Sequence, residues 1–242
     1  MRAAELPKGR HLVPIVVRQL ALKSIPKFIH CSVVVALFAL FSFAPIQEAS
    51  AGTLATPSFF GSKEIRRFDL ANLNKWRSIL ERHASVMEKQ EKCTYYQSVG
   101  CAQQEWAAIV EEYRDQSLAE KVTAVNREIN RLDYVEDVVA YGHDDYWASP
   151  MEFFIRGGGD CEDFAISKYL MLEAMGVSTE LMRVVVLETS EGIGHAVLIV
   201  ESAEGKMVLD NQIYEPVIAS TISNYQPIYS VNSTSWWLHI TN

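Results

Sequence analysis

The stretch that decides the reading of this 242-residue chain is Gly157-Gly158-Gly159-Asp160-Cys161-Glu162-Asp163-Phe164-Ala165-Ile166. Three glycines allow a sharp turn and a close approach of backbone to other groups. A cysteine flanked by carboxylates follows, and then a helical pattern begins. Phe164, Ala165, Lys168, Tyr169, Leu172 and Met175 recur at spacings of three and four, and Gly176 stands where a helix C′ glycine belongs. The spacing predicts a helix that opens near Cys161 with Asp160 at its N-cap. Free N–H groups and the positive dipole end at a first turn favour a thiolate, so Cys161 is a candidate nucleophile. A lone cysteine taken by itself is as readily a small buried hydrophobe, and the remainder of the chain has to decide between the two.

The N-terminus bears on that decision. Arg10, Arg18, Lys23 and Lys27 form a basic leader, Ser32 to Ala44 is an apolar run of thirteen residues, and Ala49-Ser50-Ala51 has the A-x-A form of a cleavage site. This is the order of a secretory signal peptide over residues 1–51, with a mature chain starting at Gly52. The apolar run falls short of the roughly 20 residues a membrane span needs. Six basic and two acidic residues leave with the leader, out of totals of 22 and 30, so the mature chain carries a net charge of −12. Such a balance disfavours nucleic acid and anionic lipid as partners and suits cations or basic protein surfaces.

Export also changes the cysteine count, because Cys31 lies in the leader. Cys93 and Cys101, eight residues apart, are either disulfide partners in an oxidising compartment or two separate buried thiols. On either reading Cys161 is left over, and an odd thiol in an exported protein is a candidate reactive group.

Residues 52–242 read as one domain. Helical stripes run from Phe68 to Lys89, from Gln103 to Tyr113, and from Ser117, where Ser117 and Glu120 have capping-box spacing. Asp137 to Arg156 reads as an irregular connection, since Pro150 biases Ser149 away from helix; Asp144 and Asp145 in it are solvated turn residues or additions to a cation site. After Gly176 come up to six short β-branched runs: Leu181–Leu187, His195–Glu201, Lys206–Asn211, Ile213–Ile218, Pro227–Val231 and Trp236–Ile240. Their connections are too short for intervening helices, so the sheet is expected to be mainly antiparallel. Helices first and strands after give an α+β fold.

A nucleophilic cysteine needs a base, and the base needs an orienting group. His195 opens a predicted strand after Gly192-Ile193-Gly194, and Asp210 closes the next one. An antiparallel hairpin sets the start of one strand beside the end of its neighbour, which makes His195 and Asp210 neighbours. Asn211 is the second choice as orienter. His143 lies in the connection within reach of the site, His83 sits on a core-edge stripe, and His239 is in a Trp-rich terminal strand. Asp160, Glu162 and Asp163 would raise the thiol pKa unless compensated. A hard cation such as Ca²⁺ resolves the conflict and takes oxygen ligands of this type. On an ideal helix Glu162 faces away from Asp160, so a shared site requires an irregular first turn.

The string Gly158 to Ala165, with His195-Ala196-Val197-Leu198 and Leu209-Asp210-Asn211, resembles the bacterial transglutaminase-like cysteine proteinases, whose characterised members are periplasmic proteases. Trp147-Ala148-Ser149-Pro150 and the Cys93/Cys101 pair fit the same resemblance. It implies a papain/transglutaminase-like α+β fold and a catalytic triad of Cys161, His195 and Asp210. It also implies calcium dependence, with Asp160, Glu162 and Asp163 as ligands. The substrate it implies is the N-terminal region of a large surface adhesin, whose cleavage releases cells from a biofilm. An inner-membrane cyclic di-GMP receptor is implied as a sequestering partner. A transglutaminase-type acyltransferase and a non-catalytic calcium-binding module are the alternatives.

Overall fold

The computed structural model describes residues 58–96 and 98–241. The expected leader and the expected mature start at Gly52 lie outside the described residues.

The first half of the described chain is largely helical. After strand β1 (Lys63–Arg67) come α1 (Asn74–Met87), α2 (Val99–Tyr113) and α3 (Leu118–Ile129). Ser98 caps α2, and Ser117 caps α3 in a capping box with Glu120, as its spacing predicts. Next are a two-residue strand β2 (Asp133–Tyr134), a single turn α4 (Asp137–Ala140) and a short helix α5 (Pro150–Arg156). The 137–156 connection is therefore partly helical, contrary to expectation. Pro150 does keep Ser149 extended, at ψ 157°, but it does so as the N1 residue of α5 with Ser149 and Glu152 as a second capping box.

Gly157 ends α5 in the left-handed region at φ 77°, β3 (Gly158–Gly159) follows, and α6 (Cys161–Ala174) starts immediately afterwards. Gly176, at φ 83°, closes α6. Val177 N–H bonds back to Leu172 carbonyl there, a Schellman-type ending. The apolar stripe of α6 understates its burial: residues 163–172 are all buried. Helices α2, α3 and α5 pack on it from one side and β4 and β5 from the other, so even Ser167 and Lys168 are enclosed.

Strands β4 (Met182–Thr189), β5 (Gly194–Ser202), β6 (Gly205–Leu209), β7 (Val217–Ile218), β8 (Tyr225–Val231) and β9 (Trp236–Ile240) complete the chain. Among the described residues they form with β1 a seven-stranded antiparallel sheet of order β1-β9-β8-β4-β5-β6-β7. β1 was not expected from sequence, and the run from Ile213 shrinks to Val217–Ile218. Period-two alternation divides the sheet's side chains between two cores. Val184, Ala196, Leu198, Val200 and Leu209 face the helices. Val185, Val197, Ile199 and Val208 face a smaller cluster with Phe59, Ala219 and Tyr225. Cys93 and Cys101 are joined as a disulfide at the start of α2.

Candidate active site

The nucleophile's position follows from the glycine run. β2 and β3 pair in parallel, with Asp133 N–H bonded to Gly157 carbonyl at 3.0 Å and Val135 N–H to Gly159 carbonyl at 2.8 Å. A Cβ at Gly158 would lie 1.9 Å from the Asp133 carbonyl oxygen, and one at Gly159 would lie 2.2 Å from Asp163 Oδ2. The close approach that the glycines permit is thus made to specific partners. It brings the chain to the α6 N-terminus with Cys161 as the first helical residue and the one free cysteine among the described residues.

The backbone N–H of Ala196, the residue after His195, acts on the Cys161 thiol and favours its ionised form. Pairing between β5 and β6 begins only at Leu198↔Leu209, which leaves the earlier part of β5 open along that edge. The thiol also donates to Glu162 Oε2 at 3.3 Å. Its pKa is raised, first by burial and then by the charges of Glu162 and Asp160, against which the Ala196 N–H acts.

His195 and Asp210 meet as the hairpin predicts. His195 Nε2 lies 3.1 Å from both carboxylate oxygens, and Asp210 is fully buried. Burial pushes the Asp210 carboxyl up. The hydrogen bond and charge of His195, the Tyr225 hydroxyl and the Gln212 N–H outweigh it and hold Asp210 below the usual carboxylate range. An ionised carboxylate can only accept, so Nε2 carries the proton and Nδ1 is the nitrogen that Asp210 does not engage. Tyr225, whose hydroxyl donates to Asp210 and whose ring packs edge-on against His195 at 5.8 Å, was not found by sequence reasoning. It follows the Ile213–Thr221 segment with no motif spacing to mark it. Asn211, the second choice as orienter, does not take Asp210's place: His195 is bonded to Asp210, and Asn211 Oδ1 is buried without a hydrogen-bond partner. His143 is exposed and stacks on Tyr146, His83 packs at the core edge against Trp106, and His239 is buried between Ser62 and Ser230.

The carboxylates flanking Cys161 form a wider cluster than the sequence predicts. Oxygens of Asp137, Asp160 and Asp163 come within 4.8 Å of one another, as do those of Asp137, Asp145 and Glu162, and Asp160 and Glu162 lie together beside Cys161. Asp137, missed by sequence reasoning, joins two of these groups. It stands 23 positions before Asp160 and is delivered by the β2–β3 pairing, which leaves no periodic signal. Glu162 reaches the others because Asp160 stands outside the helix, extended at φ −98° and ψ −168°, so the ideal-helix geometry that separates them does not apply. Asp160 is the N-cap residue of α6, as its position predicts, but its carboxylate makes no side-chain cap bond. Burial first, and then neighbouring carboxylates, push Asp160 up to about 9; burial pushes Asp163 up to about 8 against the Ala148 N–H that bonds it.

The donor set fits a hard cation. Asp137 Oδ1, Asp160 Oδ1 and Asp163 Oδ2 are buried oxygens without a hydrogen-bond partner, a costly state for three converging acids unless a positive charge lies among them.

A free cysteine at a helix start and a strand-borne histidine held by a buried aspartate are the residue types that thiol acyl-transfer enzymes combine. No curated protein matches the chain. Solved structures of Legionella pneumophila LapG do: an EGTA-treated form is 28% identical with a TM-score of 0.54, covering 67% of this chain and 86% of that one. A calcium-bound form of the same protein is 28% identical with a TM-score of 0.52, covering 66% and 87%. The model of the family described as bacterial transglutaminase-like cysteine proteinase matches residues 84–242, and to that family the chain belongs.

Proposed function

We propose that this protein is a calcium-dependent periplasmic cysteine endopeptidase that cuts the N-terminal region of a large surface adhesin and so releases cells from a biofilm. Cys161 is its nucleophile, His195 its general base and acid, and Asp210 the orienter. The observation that carries the reading is the buried His195–Asp210 bond, which leaves His195 Nδ1 unengaged by the carboxylate, together with a free cysteine as the first residue of α6. In the reaction the thiol proton passes to His195 Nδ1, and the sulfur attacks the scissile carbonyl. His195 returns the proton to the leaving amine, and water hydrolyses the thioester. The Cys161 backbone N–H, at a helix start without an intrahelical acceptor, is positioned to stabilise the oxyanion.

Asp160, Glu162 and Asp163 would hold calcium, with Asp137 and Asp145 able to complete the set. When bound, the ion supplies positive charge that offsets the carboxylates crowding the thiol. The calcium-bound relative supports this assignment. The signal-peptide pattern of residues 1–51 and the Cys93–Cys101 disulfide support an oxidising, exported setting. An inner-membrane cyclic di-GMP receptor as the sequestering regulator is part of the same proposal.

The test incubates purified protein and its Cys161→Ser variant with an adhesin N-terminal fragment, in calcium and in EGTA, with a labelled amine present. The expected result is a cut fragment with wild type in calcium alone. Incorporation of the amine without cleavage would overturn the protease reading in favour of an acyltransferase. Full activity of Cys161→Ser would remove the triad and leave a calcium-binding module; full activity in EGTA would remove the metal.

A further inference from the structure

Behind the catalytic pair lies a contact that the reaction above does not use. Phe60 sits in the short turn Phe59–Gly61 that precedes β1, at φ 55° and ψ 31°. Among the described residues it is the one non-glycine residue at positive φ. A bulky side chain raises the free energy of that conformation, which glycine or asparagine takes more readily. Strain of this kind persists only where the surroundings fix it, and it gathers at functional sites.

The surroundings of the turn are well defined. Phe59 is buried, with its ring 5.1 Å from that of His239. Ser62 Oγ meets both Ser58 Oγ, at 2.8 Å, and His239 Nδ1, at 2.7 Å. In an extended chain Phe59 and Phe60 would point to opposite sides. The left-handed residue lets both rings join the sheet's second core, where Phe60 packs against the cluster that holds Phe59 and Tyr225. Its ring meets Tyr225 edge-on, with centroids 5.5 Å apart.

Tyr225 is a side chain that needs such support. It opens β8 and reaches past β4, packing edge-on against His195 on β5 and donating to Asp210 beyond β6. The ring also borders a cavity of about 550 Å³, which Phe60 lines as well. Packing on that side is incomplete, and an edge-on neighbour at the cavity wall limits how far the ring can tilt.

We infer that Phe60 is a positioning residue. Its ring holds Tyr225 at the angle from which the hydroxyl reaches Asp210, and so steadies the carboxylate that orients His195. The inference rests on the triad reading of the site. The effect of Phe60 on the reaction passes through the Tyr225 hydroxyl, which makes the two residues non-additive.

Phe60→Gly, Phe60→Tyr, Tyr225→Phe and the double variant of Phe60→Gly with Tyr225→Phe test this in the full chain at saturating calcium. Readouts are melting temperature, and kcat and KM on an adhesin N-terminal fragment. Glycine suits the positive φ, so Phe60→Gly removes the ring while relieving the backbone, and its melting temperature should stay close to that of the wild type. Its kcat should fall about 3–10-fold with KM within about twofold. Phe60→Tyr keeps the ring and should retain the wild-type kcat. In the Tyr225→Phe background, Phe60→Gly should lower kcat by less than about 1.5-fold. Equal losses in both backgrounds overturn the inference, as does a Phe60→Gly loss that only tracks a lowered folded fraction. Cys161→Ser, run alongside, separates the levels. Activity surviving there overturns the triad and this inference with it; an inactive Cys161→Ser beside a fully active Phe60→Gly overturns the role of Phe60 alone.

Discussion

Replacing Gly158 by alanine should be the more damaging of two neighbouring glycine substitutions, for a reason that can be worked out from contacts. Gly158 is not in the positive-φ region, so its backbone would accept an L residue. The obstacle is Asp133: a Cβ would sit 1.9 Å from its carbonyl oxygen, 2.7 Å from the carbonyl carbon and 3.0 Å from its nitrogen. All three are backbone atoms and cannot swing aside. Restoring an ordinary separation of about 3.5 Å requires β2 to retreat by about 1.5 Å. That exceeds the reach of the bonds from the Asp133 and Val135 N–H groups to the Gly157 and Gly159 carbonyls, now 3.0 and 2.8 Å. Losing both costs about 2 kcal/mol and the residual crowding about 1–3 kcal/mol, roughly 3–5 kcal/mol in all. Gly157→Ala is the control. A Cβ there meets nothing within 4 Å, and only φ 77° opposes it, at about 1–2 kcal/mol. Urea denaturation in EGTA measures both. Because β2 leads directly to Asp137, Gly158→Ala should also raise the calcium concentration needed for half-maximal cleavage. A Gly158→Ala loss no larger than that of Gly157→Ala would refute the contact argument.

Three further outcomes follow from separate parts of the structure. Replacing both Cys93 and Cys101 by serine opens a loop of eight-residue separation and should cost about 2.5 kcal/mol by chain entropy, read as a lower urea midpoint with unchanged kcat. Tyr225→Phe removes a hydroxyl from the buried Asp210 and should lower kcat several-fold with KM unchanged; an unaffected kcat would show that His195 and Gln212 suffice. His239, buried between Ser62 and Ser230, is brought down to about 4, first by desolvation and then by Arg183 and Lys206. The folded state thus keeps it neutral where the unfolded chain protonates it. Stability should be independent of this group above pH 6.5, fall by about 2–3 kcal/mol between pH 6.5 and 4, and level off below; His239→Phe should flatten that slope in urea titrations.

Legibility in the sequence varied with the kind of signal. Ser117 with Glu120, Gly176 after an apolar helix, and the His195–Asp210 hairpin were readable because each rests on local rules of capping or pairing. β1 was not, since Lys63-Glu64-Ile65-Arg66-Arg67 is a charged edge strand whose one pairing is with β9 at the far end of the chain. α5 was hidden by Pro150, which signals a break in one context and a helix N1 in another. Asp137 and Tyr225 belong to the site through tertiary contacts alone. The carboxylates beside Cys161 were visible, but that Asp160 lies off the helix, and so can meet Glu162, depends on a backbone angle no composition reveals.

The site also depends on where a strand stops. In register, Leu198 pairs with Leu209; continued two residues further, β6 would set Asn211 opposite Ala196 and close the edge of β5 beside His195. The chain leaves the sheet instead. Gln212 N–H turns back to Asp210 Oδ1, Ile213 N–H to Asp210 carbonyl, and Asn130 and Asn126 of α3 take the carbonyls of Asp210, Ile213 and Tyr214 that a longer strand would have offered to β5. Buried Asn126 in the last turn of α3 and Asn130 at its C-cap thus hold the chain out of the sheet, and that ending leaves Asp210 turned toward His195. The chemistry sits at element ends, and it is held there by side chains from the C-terminal end of α3.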